Sequence, residues 1–196
     1  MFEFFIVILQ FLSGSMMYSY LLGKICGVDI RVLGDGNPGV SNLWKMKGWK
    51  FGLIGLFLDF SKGFFPVILF KDHLNYWVYI IALSFSVLGH AFSPFLNFKG
   101  GKAITTSFGV WTAATIWKAP IIMGSVLVIL KTIFKNKKSS DFDFLIFLFG
   151  FLSLIPYIMY EKSLYLYYLY FFNFFVVILK HRKEIKNIWR DLLGRI

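Results

Sequence analysis

The sequence predicts an all-α polytopic membrane protein, and three observations carry that expectation. Hydrophobic residues make up 58% of the chain and aromatics 21%, with Phe alone at 25 positions; ordinary soluble domains run closer to half apolar. Mean hydropathy is +0.68, and apolar runs of helix-spanning length recur along the whole chain. Strict alternation of apolar and polar residues, the mark of a membrane β-barrel, is absent. In hydrocarbon every backbone polar group has to be satisfied internally, so the runs read as helices within one integral membrane domain over residues 1–196.

Seven runs are expected. The first, residues 4–22, lacks the basic start and small-residue cleavage site of a signal peptide and reads as a retained helix. Its Ser13, Gly14, Ser15 and the following Gly23 suit close helix contact. A long polar segment, 27–50, follows. The second run, 51–70, contains Asp59 and Lys62 three residues apart on one helical face. Ionisable groups inside a span are costly, so these two form either a self-neutralising pair that locks packing or a site in which Lys62 faces an anion. The third run, 76–92, ends near His90, which is either a helix-end hydrogen-bonding group or a site residue. The fourth, 104–117, is short for a span and is preceded by two glycines. The fifth is 119–134. The sixth, 142–160, is expected to kink or end near Pro156. The seventh, 164–179, is rich in Tyr and Phe. A basic tail from Lys180 onward carries Ile185, Ile188, Trp189, Leu192 and Leu193 and reads as a short amphipathic helix on the membrane surface.

Two glycine-rich stretches interrupt this apolar chain. Gly34-Asp35-Gly36-Asn37-Pro38-Gly39-Val40-Ser41-Asn42 has Arg31 and Lys45 on its flanks, and Phe98-Lys99-Gly100-Gly101-Lys102 precedes the fourth run. Glycines let successive N–H groups converge on one anion, and a helix N-terminus adds free N–H groups and a favourable dipole. Either loop alone is also compatible with an ordinary turn; the pair, each with its own cations, is expected to meet over a phosphate. Thr105, Thr106 and Ser107 would add hydroxyls.

The net charge of +11 does not point to nucleic acid, because the cations cluster in short loops between apolar runs. With seven spans, seventeen of the 21 Lys and Arg residues fall on one face. The excess of cations places that face, with both glycine loops and the C-terminus, in the cytoplasm and the N-terminus outside. The single cysteine, Cys26, excludes an internal disulfide and reads as a small apolar residue, and no Cys/His cluster has metal-ligand spacing. An Asp five residues after a His, needed by acyltransferases of the His-x4-Asp type, is missing: Val78, Phe95 and Lys186 follow His73, His90 and His181. A Ser nucleophile elbow is also missing.

In several ordered segments the chain resembles the acyl-phosphate:glycerol-3-phosphate acyltransferase (PlsY-type) family. These are Gly14-Ser15 through Gly23-Lys24; Asp29-Ile30-Arg31 with Gly34 to Asn42; Leu58-Asp59-Phe60-Ser61-Lys62-Gly63; Leu88-Gly89-His90 through Lys102; and His181-Arg182 in the tail. The resemblance implies a seven-helix enzyme of the bacterial inner membrane. It would move a fatty acyl group from acyl phosphate to glycerol 3-phosphate, giving lysophosphatidate and phosphate in the first step of phospholipid synthesis. It also implies no metal and no acyl carrier; a monomer among membrane lipids is expected. Lys102 with the Gly100 and Gly101 amides is expected to hold one phosphate, and Arg31, Lys45 and the amides from Gly36 to Gly39 the other. Asn37, Asn42, Lys62 and Lys99 complete the expected phosphate set, with His90 or His181 in contact with substrate. The chain departs from the family pattern at four places. Asp35 stands where a phosphate-contacting serine is usual, Lys45 replaces an arginine, Lys138-Ser139-Ser140 is a weak third motif, and Glu184 replaces an asparagine. Asp35 is expected to be neutralised by a cation such as Arg31 or Lys45, and either the leaving phosphate or Asp35 is a candidate acceptor of the hydroxyl proton. Two alternatives stay open at this point: a different phosphorylated acceptor, or a non-catalytic protein that binds lipid or a phosphorylated metabolite.

Overall fold

A computed structural model describes residues 1–137 and 139–194. Lys138, one residue of the expected third motif, and Arg195 of the basic tail lie outside the described residues. Among those described, every regular element is helical, as the backbone requirement in hydrocarbon dictates.

The first apolar run is two helices, α1 (Phe2–Ser15) and α2 (Tyr18–Ile25), bent by 43° at Met16 and Met17. A break within a span frees carbonyls that need donors. The Ser93 hydroxyl donates to the Ser15 carbonyl at 2.7 Å and the Lys62 ammonium to the Met16 carbonyl at 2.5 Å. The next helix, α3 (Val40–Ile68), begins eleven residues earlier than the apolar run does, inside the segment read as polar. Gly39 caps it, and Asn42 fixes the entering loop by donating to the Leu33 and Asn37 carbonyls, each at 2.9 Å. Gly48, at φ 79°, breaks the helical path; a side chain at that φ would be strained. Thus α3 is a short polar helix jointed to a membrane helix. A 3-10 turn, Lys71–His73, leads into α4 (Tyr76–Ala91), which Asn75 caps by accepting from the Val78 N–H at 3.0 Å.

Next come α5 (Ile104–Thr115), α6 (Lys118–Ile133), α7 (Ser140–Leu152), α8 (Leu154–Glu161), α9 (Leu164–Lys180) and α10 (Arg182–Leu193). The sixth run breaks at Ser153, three residues before Pro156. Proline cannot donate to the carbonyl four residues back, so the break falls just ahead of it. The tail is the expected helix, bent by 69° from α9, with Trp189, Leu192 and Leu193 exposed.

Each of the seven apolar runs therefore carries a helix. Three stretches are long and apolar enough to cross a membrane, Val40–His73, Tyr76–Leu96 and Ser140–Glu161, and counting each bent pair as one span gives five. The 12 residues of α5 rise only about 18 Å.

The main contacts are α1 on α4, α3 on α5 and α2, and α4 on α9. Two seams are built from reciprocal glycines. A Cβ on Gly14 of α1 would strike the Ser86 carbonyl of α4, and one on Gly89 of α4 would strike the Phe11 carbonyl of α1. Gly63 of α3 and Gly109 of α5 repeat this against the carbonyls of Thr106 and Phe60. Lipid gives helices no hydrophobic reason to associate, so close backbone approach supplies the contact. Trp111, Tyr79, Phe147 and Phe151 fill the buried core.

Candidate phosphate-binding site

The two glycine loops bring two helix N-termini to one cavity. It measures about 110 Å³ and is lined by Asn37, by Gly39, Val40 and Ser41 at the start of α3, and by Lys102, Ala103, Ile104 and Thr105 at the start of α5; Asp59 and His90 complete the wall. The first N–H groups of a helix have no partner within it, and two such ends facing one cavity create a positive well for an anion.

Gly36 and Gly101 do a different task from the one expected. The Gly101 N–H donates to the His90 carbonyl at 2.9 Å, and the Gly36 N–H to the Leu33 carbonyl at 3.2 Å, so neither amide is free for a phosphate. Gly100 and Gly101 instead permit close packing: a Cβ on Gly100 would hit the His90 carbonyl, and one on Gly101 the His90 ring. The donors at the cavity wall are the first-turn amides of α3 and α5.

His90 is buried at the end of α4. Thr106 Oγ1 donates its hydrogen to the Asp59 carbonyl at 3.0 Å and lies 3.0 Å from His90 Nδ1. A hydroxyl has one hydrogen, so Nδ1–H is the donor to Thr106, and in the neutral ring Nε2 keeps its lone pair. His181 is also buried. Its Nδ1–H donates to the Val177 carbonyl at 2.8 Å and its ring stacks on Phe144, away from the cavity wall.

Lys102 sits at the centre of the charges. It pairs with Asp35 Oδ2 at 2.5 Å and with Glu184 Oε1, and its ammonium lies 3.4 Å from Ser140 Oγ. Ser140 donates to Glu184 Oε1 at 2.8 Å. Asp35 Oδ1 accepts from the Asn37 N–H at 3.0 Å. Burial disfavours the ionised form of all three groups, but their mutual pairing outweighs it. The Asp35 and Glu184 carboxyls are held below the usual carboxylate range, and the Lys102 ammonium is held above the usual amine value. Asp35 is thus neutralised by Lys102 and not by Arg31 or Lys45, because the loop turns its carboxylate towards α5.

Several expected phosphate ligands are elsewhere. Arg31 makes a two-point pair with Asp29 (2.9 and 2.7 Å) and lies over the Tyr20 ring at 4.6 Å; that pairing holds the Asp29 carboxyl well below the usual range. Lys45 and Lys99 are exposed, and neither makes an ion pair among the described residues. Lys62 does not line the cavity. Its ammonium is 2.8 Å from Asp59 and bonds the Met16 carbonyl, while Asp59 Oδ2 accepts from Ser19 at 2.5 Å. The self-neutralising reading of that pair is the one realised. Gly39 and Asn37 line the cavity as expected, and Asn42 acts on the loop from behind.

Sequence reasoning carried Ser140 only within the weak Lys138-Ser139-Ser140 motif and did not single out Asp59 as part of the wall. Only the fold brings Ser140 to Lys102. Asp59 stood out as an ionisable group within a span, which was the available signal.

The sequence matches the family described as Glycerol-3-phosphate acyltransferase over residues 4–191. It is 44% identical to Glycerol-3-phosphate acyltransferase 1 of Thermotoga maritima, covering 95% of this chain and 98% of that one. It is 34% identical to the glycerol-3-phosphate acyltransferase of Aquifex aeolicus, covering 62% and 72%. The fold is similar to crystal structures of PlsY, described as an integral membrane glycerol 3-phosphate acyltransferase. The glycerol 3-phosphate form gives a TM-score of 0.83 at 30% identity over 98% of this chain and 93% of that one, and the lysophosphatidic acid form gives 0.79.

Proposed function

The chain belongs to the glycerol-3-phosphate acyltransferase family, and from that premise we propose that it transfers a fatty acyl group from acyl phosphate to the 1-hydroxyl of glycerol 3-phosphate. One observation supports the phosphate chemistry above the others: a single cavity faces the N-termini of α3 and α5, with Lys102 at its edge. Family membership favours this reading over a non-catalytic binding protein.

Acyl phosphate is already activated, so catalysis is mainly positioning and charge stabilisation. The first-turn amides of α3 and α5 and the Lys102 ammonium hold phosphate oxygens. His90 Nε2 accepts a hydrogen bond from substrate at the cavity wall. The acceptor hydroxyl oxygen attacks the acyl carbonyl carbon, the new ester C–O bond forms, and the bond from that carbon to the phosphate oxygen breaks. The hydroxyl proton leaves on the departing phosphate, so the products are lysophosphatidate and hydrogen phosphate.

We place the enzyme in the bacterial cytoplasmic membrane as a single domain and a monomer. It crosses seven times, with α5 as a short member of the bundle, and the site faces the cytoplasm. Seven helix-bearing apolar runs and the one-sided distribution of cations support this arrangement. Purified protein given palmitoyl phosphate and glycerol 3-phosphate should release phosphate and form lysophosphatidate together, with both lost in Lys102→Ala. Folded wild-type protein that forms neither product would overturn the reading.

A further inference from the structure

The charges around Lys102 do not balance. Asp35 and Glu184 come from opposite ends of the chain and close on one ammonium, which also faces Ser140. An ammonium has three hydrogens, and these three partners account for all of them. The trio carries a formal charge of −1 at the edge of a cavity whose other features favour an anion. Glu184 is 3% exposed. Its Oε1 receives both Lys102 and Ser140, while its buried Oε2 has no hydrogen-bond donor. A buried carboxylate oxygen without a donor is expensive, so the trio is not a fully compensated structural network. Neither Asp35 nor Glu184 lines the cavity, yet both draw the lysine head to its rim.

We propose that Asp35 and Glu184 set the phosphate affinity of the site by competing with the incoming anion for Lys102. In the empty protein the two carboxylates hold the ammonium. A phosphate group seated on the two helix ends draws it over and leaves the carboxylates with Ser140, Asn37 and water. The same contacts hold the first glycine loop, the α5 loop and the start of α10 together, so phosphate entry loosens that tie. The proposal rests on the reading above only in taking a phosphate as the ligand.

The test is binding of inorganic phosphate to the detergent-purified full chain by calorimetry, comparing wild type with Asp35→Asn and Glu184→Gln. Each variant removes one charge and keeps the oxygen that accepts from Asn37 or Ser140. Each should bind phosphate about tenfold more tightly, about 1.4 kcal/mol, and in the acyl-transfer assay each should lower KM for glycerol 3-phosphate more than it changes kcat. A merely structural role would lower the melting temperature without tightening binding. Unchanged, weaker or unmeasurable phosphate binding in the variants overturns the proposal. Should Glu184→Gln fail to fold, Asp35→Asn, in an accessible loop, decides alone. Tighter binding in the variants with no acyl transfer by wild type would uphold the competition and remove the proposed reaction. Transfer by wild type with unchanged phosphate affinity in the variants would do the reverse.

Discussion

Lys62 and Lys102 both meet carboxylates away from open solvent, and the two pairings are built differently. Lys62 and Asp59 lie three residues apart on α3, both fully buried, with Ser19 and the broken end of α1 as their other partners. Lys102 collects Asp35 and Glu184 from loops and helices distant in sequence, at a partly open rim. A pair made within one helix forms whenever the helix forms, and it stitches a break in the bundle. A set made from segments distant in sequence forms only when the fold closes, and the proposal above has its members exchange for a phosphate. Burial and sequence separation together separate the two pairs, and in the proposed reaction they separate a charge that holds the structure from one that meets substrate.

The largest effect expected is on turnover. Lys102→Ala should lower kcat/KM by about a hundredfold or more, while Lys62→Ala should act through stability; equal losses of activity in two equally stable variants would break the distinction. Next is the buried pair. Asp59→Ala leaves an uncompensated ammonium and should cost about 3–5 kcal/mol in detergent unfolding, and Asp59→Asn combined with Lys62→Met should cost less than the two single changes summed. Gly109→Ala, which drives a methyl into the Phe60 carbonyl on the same helix seam, should cost about 1–3 kcal/mol.

Acid should affect the outer set to a smaller extent. Because pairing lowers the Asp35 and Glu184 values below those of the unfolded chain, their contribution is complete above the ordinary carboxylate pKa of about 4 and is lost as pH falls through the folded values. Lys102 is raised, so its share holds below about pH 10.4 and is lost as pH rises through its higher folded value. The melting temperature of wild type should therefore fall more steeply below about pH 4 than that of the Asp35→Asn, Glu184→Gln double variant. Smallest of all, Arg31→Ala should leave the melting temperature within measurement error, because its pair with Asp29 is exposed to solvent.

The fold was legible because hydrocarbon allows few options: each of the seven apolar runs carries a helix, and the tail is amphipathic as its spacing indicated. The start of α3 was hidden because its first turns are polar and follow a proline and a glycine, which read as loop. The cavity was half legible. The glycines beside Lys102 marked the start of α5, but composition could not reveal that the Gly36 and Gly101 amides are used internally. Nor could spacing show that Asp35 and Glu184, two separate departures from a motif, meet on the same lysine. That fact belongs to the closed chain.

The reciprocal glycine seams have a thermal consequence. Gly63 and Gly109 hold α3 against α5 through backbone atoms, and glycine has no side-chain rotamers to freeze or release. Warming therefore has no glycine rotamers to populate where the two backbones meet. The membrane part of α3 should thus keep its distance from α5 across temperatures at which leucine-packed seams begin to breathe, and any thermal change in the cavity should arise at the Gly48 joint instead.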